Sequence, residues 1–363
     1  MNPVPLYQFP KVIPMRCRSV LLVLLATLAA PSLALARDTA APPTRTVEVV
    51  DSFHGTRIAD PYRWLEDGAD PAVREWTARQ SQRTRAYLDG LPVRGKLRSR
   101  LETYISESSP RYYSLSAAGG QVFAGYFDPQ RQQPMLRVLG PDLDPAKART
   151  VLDPNTLDPS GGTAIDWFVP SPDGQQVAVS LSRGGSEDGS LHVFNTATGQ
   201  QIGEVIPGVN YPTAGGDVAW APDGRGFWYT RYPGTERPEA DRHFYVQVYF
   251  HTLGEDPAKD PRVFGDGLPK VAEIQLDYSH EAGALLVSVQ NGDGGEFAHY
   301  VSVQDGRFVQ VTRFEDGVDF AAFGPDRALY LVSEKNAPRR QILKLGDDFA
   351  CGPGIFEFYQ GIF

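Results

Sequence analysis

Acyl transfer by a serine requires a nucleophile on a tight Gly-x-Ser-x-Gly elbow, a histidine to accept its proton and a carboxylate to orient that histidine. The nearest approach in this chain is Gly184-Gly185-Ser186-Glu187-Asp188-Gly189, whose glycines have the wrong spacing for an elbow. It falls in a polar stretch between apolar runs that end near Leu181 and resume near Leu191, so a solvated hairpin loop is the expected structure. The six histidines, His54, His192, His243, His251, His280 and His299, are scattered and form no ligand set. No His-x-x-x-His, Cys-x-x-Cys or calcium-loop spacing occurs, so neither a metal centre nor a cofactor is expected. Glu187-Asp188 and Asp347-Asp348 read as hydrated loop carboxylates, and Gly215-Gly216 and 292–295 as turns, since no following helix and lysine complete a phosphate cradle. Arg231 and Arg242 are expected to pair with nearby acids rather than to hold a ligand carboxylate. No catalytic residue emerges.

The elements that would have to position any such chemistry are mostly strands. An apolar strand, a Pro-Asp-Gly-type turn and a second apolar strand recur along the chain. The clearest copies surround Ser171-Pro172-Asp173-Gly174 and Ala221-Pro222-Asp223-Gly224, with echoes at His280-Glu281-Ala282-Gly283 and Gly324-Pro325-Asp326-Arg327, and an earlier one at Ala117-Ala118-Gly119-Gly120. Successive anchors at Gly120, Gly174, Gly224, Gly283 and Arg327 lie 54, 50, 59 and 44 residues apart, the period of four-stranded propeller blades. Such a unit cannot bury both faces alone, so copies must stack around an axis. The predicted fold is mainly β, an incomplete β-propeller of about four to five blades occupying 110–345, behind a short helical arm at 37–109. In that arm Asp70-Pro71 supplies an N-cap and a first-turn proline for a helix over 71–89, ended by Gly90 and Pro92. Val93, Leu97, Leu101 and Ile105 recur every fourth residue and mark a second helix to about Ser106.

The two ends differ from this body. Met15-Arg16-Cys17-Arg18, an apolar run at 20–30 and Ala34-Leu35-Ala36 read as a signal peptide over 1–36, placing the mature protein in a bacterial periplasm or outside the cell. Only Cys351 would then remain, excluding an intrachain disulfide. The mature net charge becomes −12, which argues against nucleic-acid or anionic-membrane partners. The aromatic-rich stretch 346–363 breaks the repeat and reads as an atypical tail, as a shifted reading frame would leave.

With these features in place, the chain resembles the prolyl oligopeptidase family of serine peptidases. The carrying segments are Asp60 to Asp67 (DPYRWLED), Leu152-Asp153-Pro154-Asn155, Phe168 to Gly174 (FVPSPDG), Val218 to Gly224 (VAWAPDG), the run from Phe227 to Tyr232, and Tyr249 to Gly254. They are spread in family order over 47–345. The resemblance implies a seven-bladed propeller that screens short peptides above an α/β-hydrolase domain cutting after proline. That catalytic domain follows the propeller in the family and is missing here, so this chain alone is expected to be inactive. The resemblance also makes Tyr211, in the loop around 208–216, a candidate substrate-lining residue. Short proline-containing peptides are the expected partners, along with self-association through exposed blade edges. A non-catalytic exported propeller that binds peptides or a partner protein is the alternative. An unrelated propeller scaffold leaves the helical arm unexplained.

Overall fold

The computed structural model describes residues 41–210, 216–303 and 306–346, so the signal-peptide reading and the tail from 347 onward lie outside the described residues. The chain divides into two compact units at Arg100–Leu101. In the first, β1 (Val50–Phe53) and β2 (Thr56–Ala59) form an antiparallel hairpin across the His54-Gly55 turn. Two further bonds, Asp60 N–H to the Val49 carbonyl and Val47 N–H to the Pro61 carbonyl, both 2.9 Å, extend the pairing toward Val47. The aromatic cluster after it acts as a fastener. Trp64 donates its indole N–H to the Arg45 carbonyl (3.0 Å) and Trp76 donates to the Thr44 hydroxyl (2.8 Å), so two large rings hold the proline-rich lead-in. Arg63 pairs with Asp51 and, at 2.7 Å, with Asp60.

Helix α1 (Pro71–Asp89) starts where the Asp70 carboxylate accepts the Ala72 N–H at 2.8 Å, and it stops at Gly90. Only Val73 of this helix is fully buried. Helix α2 (Arg94–Ser106) spans the division between the units, and its expected apolar stripe does not close on a core: Val93, Leu97, Leu101 and Ile105 are all exposed.

Among the described residues, the second unit is built from five antiparallel meanders in chain order. The first blade comprises β3 (Arg111–Ala118), β4 (Gln121–Phe127), β5 (Met135–Leu139) and β6 (Arg149–Leu152). The second holds β7 (Thr163–Pro170), β8 (Gln176–Arg183), β9 (Ser190–Asn195) and β10 (Gln201–Pro207). In the third are β11 (Val218–Trp220), β12 (Gly226–Arg231), β13 (Gln247–Thr252) and β14 (Arg262–Phe264). The fourth has β15 (Ala272–Ser279), β16 (Ala284–Asn291), β17 (Phe297–Ser302) and β18 (Phe308–Thr312). The fifth shows three described strands, β19 (Val318–Phe323), β20 (Leu329–Ser333) and β21 (Gln341–Leu345). This is the blade pattern that the turn rhythm predicts.

Alternation of side chains across each strand decides where the core sits. Along β8, Val177, Val179 and Leu181 meet Phe123, Leu136 and Val138 of the first blade, whereas Ala178 meets the third blade's Trp220, Phe227 and Tyr229. Along β16, Leu285, Val287 and Val289 face the third blade, and Ala284 and Leu286 face the fifth. Each hydrophobic core therefore lies between blades, and no blade owns one. The turns interlock as well. Gly119, at φ 55°, donates its N–H to the Pro172 carbonyl (3.1 Å), and a Cβ at that position would sit 2.0 Å from the Asp173 carbonyl oxygen.

Candidate functional site: a cavity on the blade axis

The first strands of the first four blades neighbour one another, β3 beside β7, β7 beside β11 and β11 beside β15, so their inward residues define an axis. A cavity of about 390 Å³ opens there, walled by Trp167 and Val169 of β7, Phe320 of β19, and the backbone at Gly216. Its polar groups are Asp217, Gln275, Asp277 and Ser288.

Asp217 sits just before β11, and its carboxylate is held by backbone. One oxygen accepts the Val218 N–H and the other accepts the Leu276 N–H of the next blade, both at 2.8 Å. Burial pushes this carboxyl up to about 7, the two N–H donors oppose the rise, and the neighbouring Asp277 adds to it. Partial desolvation by the cavity wall also raises Asp277, although its residue stays exposed. In the second blade a register shift between Ile165 and Trp167 leaves Asp166 as an extra residue. Its carboxylate accepts hydroxyl bonds from Ser180 (3.0 Å) and Ser182 (2.6 Å), and burial raises it too. Trp167 is fixed by its indole N–H on the Asn210 carbonyl (3.0 Å).

Sequence reasoning singled out none of Asp166, Asp217, Asp277 or Ser288. The available signal was a carboxylate inside an otherwise apolar alternating strand, as in Leu276-Asp277-Tyr278 and Ile165-Asp166-Trp167. Tyr211, the substrate-lining candidate, lies outside the described residues. Gly184 to Gly189 forms the loop between β8 and β9, exposed as far as Asp188 and buried at Gly189, with Gly184 and Gly185 at positive φ and the Ser186 hydroxyl accepting the Asp188 N–H at 3.2 Å. Arg231 pairs with Glu236 (3.7 Å) and lies over the Tyr249 ring, and Arg242 pairs with Glu239 (2.5 Å).

The histidines likewise serve structure. His251 Nδ1 lies 3.0 Å from Asp260, which also accepts the Tyr229 hydroxyl (2.8 Å), all within the packed third blade. His299 is fully buried and its Nδ1 meets the Thr312 hydroxyl at 2.7 Å. His192 meets Gln201 at 2.9 Å. Among the described residues no histidine ring is hydrogen-bonded to a serine, and no three His, Cys, Asp or Glu side chains converge as a metal site.

Comparison with known proteins follows this geometry. The prolyl endopeptidase of Elizabethkingia meningoseptica is 27% identical over 314 residues, covering 84% of this chain and 42% of the relative. Prolyl oligopeptidase A of Galerina marginata is 25% identical over 281 residues, covering 68% and 37%. Among solved structures, a prolyl endopeptidase studied for inter-domain dynamics in catalysis and specificity superposes with a TM-score of 0.76 at 25% identity, covering 88% of this chain and 46% of that one. Prolyl oligopeptidase B of Galerina marginata, bound to a 35mer hydrolysis and macrocyclization substrate, gives 0.70 at 21% identity over 84% and 46%. The chain thus spans less than half the length of the relatives it matches. Residues 42–346 match the family model for the prolyl oligopeptidase N-terminal beta-propeller domain, and the chain belongs to the prolyl oligopeptidase family.

Proposed function

We propose that this chain is the N-terminal and propeller portion of an exported prolyl oligopeptidase-type serine endopeptidase that cleaves short peptides after proline, and that its own residues select peptides without cutting them. The observation that carries this reading is the axial cavity inside a propeller of this family. At about 390 Å³ it suits a few residues of extended peptide and excludes a folded domain. The relatives named above are prolyl peptidases, which supports peptides as ligands. The exposed stripe of Val93, Leu97, Leu101 and Ile105 supports docking of α2 on a further body, because an amphipathic helix gains stability by burying its apolar face. Export rests on the n-region and apolar run near the start.

Inactivity of the chain by itself is supported by how its hydroxyls and rings are used. Ser180 and Ser182 are turned to Asp166, and the His299–Thr312 pair is sealed from solvent. Without a positioned nucleophile, base and oxyanion donors the rate enhancement has no source. The same observation favours the second reading, an exported propeller whose task is binding alone.

The test is incubation of the purified chain with a chromogenic substrate carrying proline at the cleaved position, alongside calorimetric titration with a short proline-containing peptide. Binding without turnover is the expected result. Turnover abolished by a serine-reactive fluorophosphonate would overturn the proposed inactivity, and absence of peptide binding would overturn the selecting role.

A further inference from the structure

Three polar groups on the cavity wall have no partner. The Asp277 carboxylate makes no hydrogen bond or ion pair among the described residues, nor do the side chains of Gln275 and Ser288, although Ser288 is only 9% exposed. All three open into the cavity, where a ligand group or water can meet them. Gln275 and Ser288 are direct partners across β15 and β16, so they present their side chains to the same face. The charge is one-sided. Asp217 and Asp277 both line the cavity, the charge of Asp277 adds to the rise of Asp217, and no lysine, arginine or histidine lines it with them. Trp167 and Phe320 supply flat apolar walls beside the carboxylates.

We propose that the axial cavity is a cation subsite that takes the ammonium or guanidinium group of a lysine or arginine side chain on a short peptide, with Asp277 and Asp217 as charge partners and Ser288 and Gln275 as hydrogen-bond acceptors. The aliphatic stem of such a side chain packs against Trp167 and Phe320, where a cation also gains from the ring faces. An ammonium carries three donors and no acceptor, which matches a wall of carboxylates, a hydroxyl oxygen and an amide oxygen. The inference rests on the axis being the peptide's path, and it adds a charge preference to that path. Burial holds both carboxyls above their ordinary range, so a bound cation also draws the proton from Asp217.

The full chain is titrated by calorimetry with N-acetyl-Lys-Pro-amide and its Gln and Glu counterparts. The Lys peptide is expected to bind about tenfold or more tightly than the Gln peptide, the worth of one charge-assisted hydrogen bond, and the Glu peptide weakest. Its advantage grows between pH 6 and pH 8 while the Gln peptide stays level. Asp277→Asn, at an exposed position, and Ser288→Ala each reduce the advantage of the Lys peptide over the Gln peptide, and a parent-like urea midpoint verifies that the variants are folded. Equal affinity for all three peptides overturns the cation subsite and leaves peptide selection standing, whereas no binding of any peptide overturns both. Putrescine that binds as tightly as the Lys peptide and displaces it assigns the cavity to free amines and overturns the peptide assignment.

Discussion

Two buried ionisable groups pull stability in opposite directions with pH. Burial lowers His299 from 6.5 to about 4, so between these values the unfolded chain holds a proton that the folded one does not, and stability is lost as pH falls through that window. Asp217 rises from 3.8 to about 7, so there the folded chain holds the extra proton, and stability is lost as pH rises. Each group acting alone changes stability by about 1.4 kcal/mol per pH unit. In the shared window from about 4 to about 6.5 the two slopes cancel. Asp166 and Asp277, raised less than Asp217, add a small slope of the same sign, and urea unfolding of the parent chain is expected to stay close to level with pH there. Asp217→Asn uncovers a loss toward acid, and His299→Gln uncovers a loss toward neutrality. A parent-like level profile in either variant would sink this assignment.

At the scale of the element, the turns carry the testable strain. Four of the repeat anchors are glycines at positive φ, Gly120, Gly174, Gly224 and Gly283, whereas the equivalent place in the fifth blade is Arg327 at φ 66°. Arg327→Gly is expected to raise stability by roughly 0.5–1 kcal/mol, since a side chain in the left-handed region is disfavoured and glycine's greater unfolded entropy offsets only part of that. Gly119→Ala is expected to cost about 1–3 kcal/mol, because its methyl meets the Asp173 carbonyl. Urea midpoints of the two variants should move in opposite directions. The same turns explain what could be read without coordinates. Pro-Asp-Gly anchors and two-residue alternation located the strands, and Asp70-Pro71 located α1, because these are local signals that need no neighbour. The exposure of α2's stripe was not legible, since whether every fourth residue meets a core depends on what lies across from it. The cavity stayed hidden for a related reason. Trp167, Asp217, Ser288 and Phe320 come from four different blades and meet only through the order of stacking.

For the molecule as a whole, shared cores make each blade's stability a property of its neighbours. Phe227 is fully buried between the second and third blades, edge-on to Trp220 with ring centres 5.1 Å apart and tilted 5.3 Å from His251. Phe227→Ala is expected to cost about 3–5 kcal/mol. The loss should be regional. In hydrogen exchange, protection is expected to fall across β8 and β12 while β16 and β20 retain theirs, as nearest-neighbour coupling requires. Uniform loss across all five blades would show instead that they unfold as one unit.

The bond from the Leu276 N–H to the Asp217 carboxylate has a consequence for anything travelling down the axis. That N–H lies on the free edge of β15, where an incoming extended segment would otherwise register as one more strand. A carboxylate from the adjoining unit already occupies it. At this point a visitor finds no backbone ladder to zip onto and is gripped by side chains alone, a hold loose enough for onward passage and sensitive to what the visitor carries.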